Sequence, residues 1–276
     1  MYSSFAVQQN LERLKANGVH VLESPKGELA CGETGEGRMA EPEEILNALK
    51  NAKEVKNVCK NGKRVLITAG RTEELIDPVR YISNRSSGKT ATAIASVFYE
   101  AGFDVTMVCG PMDVAAPGFS KVVNVRSAIE MHEAVLSQAK DYDVLVHCAA
   151  VADYRPAEVA NEKIKDSRSQ LHLDLIPNPN ILRDSVAQKR KGQVVVGFAL
   201  ETEKPELHAK EKLEKSGADL LVLNMPVAKE SGFGKDNVAF SLVEKGGTVP
   251  ELQMASKRDL ALGILRFTLL ELEKTK

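Results

Sequence analysis

A chain of 276 residues with 43% hydrophobic and 27% charged residues can bury a large core, which excludes disordered and fibrous classes. Its net charge of −1 at pH 7 gives no global attraction to nucleic acid or to an anionic membrane, and neither is expected as a partner. No run approaches the roughly 18 apolar residues of a membrane span, and Met1-Tyr-Ser-Ser-Phe5 lacks a secretory leader's basic head and apolar body, so a cytoplasmic location is expected. Cys31, Cys59, Cys109 and Cys148 lack Cys-x-x-Cys spacing and clustered histidines, so neither a metal site nor a disulfide framework is expected. Cys109 and Cys148 end apolar runs and read as buried small hydrophobes.

In chain order, residues 6–17 read as an amphipathic helix stopped by Gly18, followed by a short strand at 19–22. Four glycines within residues 27–37 mark a shaped loop, and Pro42 with Glu43 and Glu44 opens a helix running to about Lys53. Residues 1–54 are too few to bury a core alone and read as the tail of a larger domain. The polar stretch 55–63, with Asn61-Gly62 as a turn signal, reads as a linker.

From residue 64 the pattern alternates. Apolar runs at 65–69, 105–109, 122–125, 144–148, 194–198 and 220–223 read as strands, with helices at about 88–101, 128–140, 180–191 and 205–216. Unbroken Val/Leu/Ile strands separated by helices imply an α/β fold: a Rossmann-like three-layer sandwich with a mostly parallel sheet over residues 64–276. Ligands of such folds bind at the C-terminal ends of the strands, which directs attention to 70–88, 110–119, 149–170 and 199–204. Beyond Asn224 the pattern weakens into a Gly-rich loop, short strands near 238–243 and a closing helix from about Ser256.

Ser83-Asn-Arg-Ser-Ser-Gly88-Lys89-Thr90 half-matches a phosphate-binding P-loop. Its first glycine is replaced by Ser83, and eighteen residues separate Ala69 from Gly88, so a Walker ATPase is rejected. Small residues before a helix start still suit an anion, with Ser86 and Ser87 hydroxyls as donors, and a plain helix cap would look similar. Thr68-Ala-Gly70 raises a nicotinamide dinucleotide site, weakened by the missing G-x-G-x-x-G and by the absence of an acid after the second strand. Cys148-Ala-Ala-Val-Ala-Asp153-Tyr-Arg155 permits close approach of a planar ligand, with Asp153 as acceptor, or is a tight turn with a solvated Asp. Glu162-Lys163-Ile-Lys165 offers two cations to phosphates, or is solvated surface.

Taken together, residues 76–89, 149–155, 162–165, 178–181 and 197–202 resemble phosphopantothenate–cysteine ligase, the synthetase half of the bacterial bifunctional coenzyme A biosynthesis flavoprotein. Met1-Tyr2 and Ala30-Cys31-Gly32 resemble the end of its partner half, the FMN-dependent phosphopantothenoylcysteine decarboxylase. The resemblance implies a CTP-dependent acid–amino-acid ligase. The carboxylate of 4′-phosphopantothenate attacks the α-phosphate of CTP with Mg²⁺ as counter-charge, and L-cysteine displaces CMP from the acyl-cytidylate.

By the same resemblance Asn84, Arg80 and Lys163 act in catalysis, and Asn84, Ala149 and Ala150 hold the intermediate. CTP would be bound by Ser86, Ser87, Gly88, Asp153, Lys163, Pro179, Asn180, Ile181, Leu182, Phe198 and Lys212. Cys31 would be a decarboxylase active-site residue in a remnant without decarboxylase activity, with FMN bound by the intact parent and not here. A homodimer through residues 64–276 is implied. Arg71, Leu75, Thr90-Ala91 and Ser216 depart from the family's usual residues. A catalytically silent assembly module and an NAD(P)-binding reductase are the competing expectations.

Overall fold

The structure, a computed structural model, describes residues 2, 4–16, 21–22, 24, 26–28, 34–51, 62–165, 170–200, 205–225, 237–247 and 249–274. The chain divides into two compact units, Met1–Val58 and Cys59–Lys276.

In the first unit, α1 (Phe5–Ala16) precedes a ribbon of β1 (Lys26–Glu28) and β2 (Thr34–Glu36), and α2 (Pro42–Asn51) follows. The ribbon lies where a shaped loop is expected. Gly27 faces Gly35 across it, so no alternating side-chain pattern announces the pairing. Glu43 and Glu44 occupy the first turn of α2, and the Glu44 carboxylate accepts from Glu41 N at 3.0 Å. Residues 21–22 are neither helix nor strand; the rest of the strand expected at 19–22, and Cys31 and Cys59, lie outside the described residues.

The second unit is built on one eight-stranded sheet. Its strands are β3 (Arg64–Ala69), β6 (Asp104–Cys109), β7 (Lys121–Asn124), β8 (Val144–His147), β11 (Val194–Leu200), β12 (Leu220–Met225), β13 (Asn237–Glu244) and β14 (Gln253–Ser256). They lie in the order β14-β13-β12-β11-β8-β3-β6-β7, parallel except where β13 meets its two neighbours. This is the expected three-layer α/β architecture with a mostly parallel sheet. Along β3 the side chains alternate: Val65, Ile67 and Ala69 join one core with Ile94 and Phe98 of α3 (Lys89–Glu100) and Leu260 and Ile264 of α7 (Lys257–Glu273). Leu66 joins the other core with Met131, Leu182 and Leu213 of α4 (Ala128–Leu136), α5 (Ile181–Ala187) and α6 (Pro205–Ser216).

Two expected helices are shorter than their apolar pattern. The one at 128–140 ends at Leu136 and continues as a 3₁₀ turn over Ala139–Asp141. The one at 180–191 ends at Ala187, before a reversal at Gly192 with φ 80°. Two hairpins of three-residue strands are also present. They are β4 (Glu73–Leu75) with β5 (Tyr81–Ser83), and β9 (Tyr154–Pro156) with β10 (Leu175–Pro177).

The chain turns tightly at the top of β3. Gly110 N donates to Ala69 O at 3.0 Å, Arg71 N to Pro111 O at 3.1 Å and Ala150 N to Gly70 O at 2.8 Å. A Cβ on Gly110 would stand 1.9 Å from the Arg71 carbonyl oxygen, a backbone atom held in place by these bonds. Gly110→Ala is therefore expected to cost at least about 3 kcal/mol in urea unfolding. Gly118→Ala, where an added Cβ meets nothing within 4 Å, should be neutral; equal stability of the two variants would contradict the close approach.

His147 ends β8 and is buried, with Nε2 at 2.8 Å from Ser185 Oγ; among the described residues its Nδ1 has no hydrogen-bond partner. Burial pushes the imidazole down to about 4. The unfolded chain takes up this proton below about pH 6.5 while the folded chain does not, so stability falls as pH drops from there towards 4. The contribution is roughly 3 kcal/mol across that window, and His147→Leu should flatten it in pH-dependent denaturation curves.

Candidate functional site

The sheet reverses its winding at β3: the chain goes out through β6 and β7, then returns to the other side through β8. The loops after β3 and β8 therefore part, leaving a crevice at their C-terminal ends. Residues 70–72 join its walls. Thr72 N reaches Ala150 O at 3.4 Å, Thr72 Oγ1 accepts from Ala152 N at 2.9 Å, and the Asn84 side-chain amide donates to Val151 O at 2.9 Å.

One wall is the start of α3. Its N-cap, Gly88, has φ 81°, and no side chain caps the helix. The cap residue thus puts no side chain in front of the first turn of α3, and the helix dipole adds positive potential there. Ser86, Ser87, Gly88 and Lys89 line a cavity of about 510 Å³ that also takes in Asp153 and Lys212. A second cavity of about 560 Å³, lined by Asn178 to Arg183, shares Ala149, Val151, Asp153, Phe198 and Lys212 with the first. The two make one trough, with hydroxyls, amides and lysines at one end and the N-terminal turn of α5 at the other.

Of the residues singled out from sequence, Asn84, Ser86, Ser87, Gly88, Ala149, Ala150, Asp153, Phe198 and Lys212 meet in the first cavity. Pro179, Asn180, Ile181 and Leu182 meet in the second. Asn180 also caps α5, its side-chain oxygen accepting from Arg183 N at 3.0 Å. Arg80 and Lys163 line neither cavity. Arg80 is bound to Asp77, which is sealed from solvent, through Nε at 2.9 Å and Nη2 at 2.5 Å, and donates to Ile164 O at 2.8 Å. The Arg80 guanidinium, with the amides of Val79, Arg80 and Ile164, holds the Asp77 carboxyl well below the usual carboxylate range. Lys163 lies on the exposed loop that this pair tethers.

Lys257 and Asn224 line the first cavity and were not anticipated. Ser256-x-x-Asp259 is a readable capping box and is formed. It places the start of α7 but not the cavity that start would face. Cys148 lines the cavity, where burial pushes its thiol up to about 12, so it stays protonated at neutral pH. Ser185 is buried and donates into its own helix, so the Ser185–His147 pair presents no exposed nucleophile. The arrangement is suited to holding an anion and hydrogen-bonding a polar ligand along the trough. Among the described residues no helix is long and apolar enough to cross a membrane, and no cluster could hold a metal ion.

The model of the DNA/pantothenate metabolism flavoprotein C-terminal domain matches residues 60–270, and a flavoprotein model matches residues 1–53. The coenzyme A biosynthesis bifunctional protein CoaBC of Haemophilus influenzae is 41% identical over 275 residues, covering 100% of this chain and 68% of its own length. The crystal structure of the C-terminal domain of a CoaBC protein superposes with TM-score 0.65 at 38% identity, over 77% of this chain and 98% of that one. A solved mutant protein in complex with phosphopantothenate-cysteine superposes with TM-score 0.64 over 85% of this chain and 95% of its own, and at 19% identity it speaks for the fold alone.

These descriptions correct the expectation of a phosphopantothenate–cysteine ligase. The models matching residues 1–53 and 60–270 describe flavoproteins, and neither they nor the two CoaBC proteins carry the name of a ligase. The ligase reaction, its enzyme class, and CTP with Mg²⁺ find no support in these descriptions. With the domain model matched over residues 60–270, this chain belongs to the DNA/pantothenate metabolism flavoprotein family.

Proposed function

We propose that residues 59–276 bind a phosphorylated pantothenoyl thiol acid of coenzyme A biosynthesis, 4′-phosphopantothenoylcysteine, with its phosphate on the Ser86–Lys89 turn. The observation that carries this reading is the uncapped start of α3 opening, with Ser86, Ser87 and Lys89, into the first cavity. The names of the coenzyme A biosynthesis relatives support the choice of compound. Asp153 and the Asn84 side chain, in the same cavity, supply acceptors for its amide N–H and hydroxyl groups. A cytoplasmic location belongs to the same proposal.

The flavoprotein match to residues 1–53, with a 38% identical relative named a cysteine/cysteine sulfinic acid decarboxylase, favours decarboxylation of this compound as the chemistry. FMN would supply electron uptake and return when bound. The described residues of the first unit bury only Ala40 and do not by themselves enclose a flavin ring, so no step is drawn through it. The part argued for this chain is to hold the phosphate and orient the thiol acid.

Calorimetric titration with 4′-phosphopantothenoylcysteine should show one site per chain, weakening as salt rises. Ser87→Ala and Lys212→Ala should each weaken binding by about tenfold. No binding by a folded wild-type chain would refute the reading. Release of CO₂ on adding FMN assigns the decarboxylation to this chain as well, and binding without release confines it to holding the compound.

We also propose that two copies pair through the neighbouring hairpins β4–β5 and β9–β10, which expose Val79, Tyr81, Tyr154 and Leu175. Tyr154→Lys with Leu175→Lys should shift sedimentation towards monomer without changing far-UV circular dichroism.

A further inference from the structure

Resting on that reading of the site, we propose that Arg71 is a positioning residue that sets the anion-binding shape of the Ser86–Gly88 turn. Arg71 is fixed at both ends of its reach. Its backbone is bound at the top of β3, through Arg71 N to Pro111 O at 3.1 Å and a parallel bridge to Ala150. Its Nη1 donates to Ser86 O at 2.9 Å and to Asp113 Oδ1 at 3.0 Å, and its Nε lies 3.9 Å from Glu73 Oε1. Asp113 completes the frame by donating its own N–H to Ser87 O at 3.1 Å.

The consequence follows from the planarity of the peptide group, in which C=O and the next N–H point to opposite sides. Turning Ser86 O towards Arg71 turns Ser87 N–H away from it, and turning Ser87 O towards the Asp113 amide does the same for Gly88 N–H. The residues so oriented line the cavity at the open start of α3. Arg71 is itself compensated by two carboxylates, so it acts on the anion through the turn, not as a direct ligand. A lysine would lack the rigid planar fork whose Nε faces Glu73, and its flexible ammonium would hold the turn less firmly.

The test uses the full chain with wild type, Arg71→Ala, Arg71→Lys and Asp113→Asn. Affinities for 4′-phosphopantothenoylcysteine and for inorganic pyrophosphate are measured beside amide hydrogen exchange of residues 85–90. Arg71→Ala and Arg71→Lys are each expected to bind both probes about tenfold more weakly, with faster exchange confined to that turn and an unchanged unfolding midpoint, whereas Asp113→Asn, which keeps its Oδ1 and backbone amide, should bind as the wild type does. Should Arg71→Ala fail to fold, Arg71→Lys carries the test. Wild-type affinity in the folded Arg71 variants overturns the role of Arg71 while leaving the site standing. A wild type that binds neither probe overturns the reading of the site, and the role of Arg71 with it.

Discussion

The backbone hydrogen bonds made by residues 69–72 beyond the end of β3 are the constraint on which the trough depends. They tie the strand top to 110–111 on one side and to 150 on the other. A parallel sheet leaves such strand ends with unsatisfied groups, and here neighbouring loops satisfy them instead of water. The loops are thereby set at fixed separation, and the cavities are the space between them. Gly110 has no room for a side chain because Arg71 O occupies that position.

Charge is distributed in two registers around this frame. The acids near it are committed to structure: Glu74 accepts from Ala128 N at the start of α4, Glu73 pairs with Arg126, and Asp77 takes Arg80 and three amides. The lysines of the trough come from elements far apart in sequence, α3, α6 and α7, whose first or exposed turns meet there. Positive potential is thus delivered by helices, and the carboxylates of Glu73, Glu74 and Asp77 are committed to scaffold hydrogen bonds.

Much of this was legible from residues alone. Strands such as Val65–Ala69 and Val194–Leu200 are buried on both faces, so their signal is an unbroken apolar run that no surface requirement interrupts. That Ser86–Gly88 and Asp153 line a crevice was readable because they lie in loops after strand ends of a parallel sheet, where the loops part. Hairpins β4–β5 and β9–β10 were not, since three residues are too few to display a period of two. Arg80 shows the limit at the site. Its spacing from Asp77 suits a local ion pair, yet the burial of that pair and its hold on Ile164 depend on a loop more than eighty residues away. Lys257 was missed for the same reason, because the packing of α7 beside α3 brings it to the cavity.

The position of β3 in the sheet bears on the order in which the molecule can assemble. Its partner β6 follows within forty residues, whereas its other partner, β8, begins at Val144, and β8 in turn waits for β11 at Val194. Closing the β3–β8 and β8–β11 loops, both longer than the one between β3 and β6, costs chain entropy before any new pairing compensates it, so β3-β6-β7 with α3 is the earliest part of the sheet that can form. The trough, which needs loops from both sides of β3, is consequently among the last features to appear during synthesis.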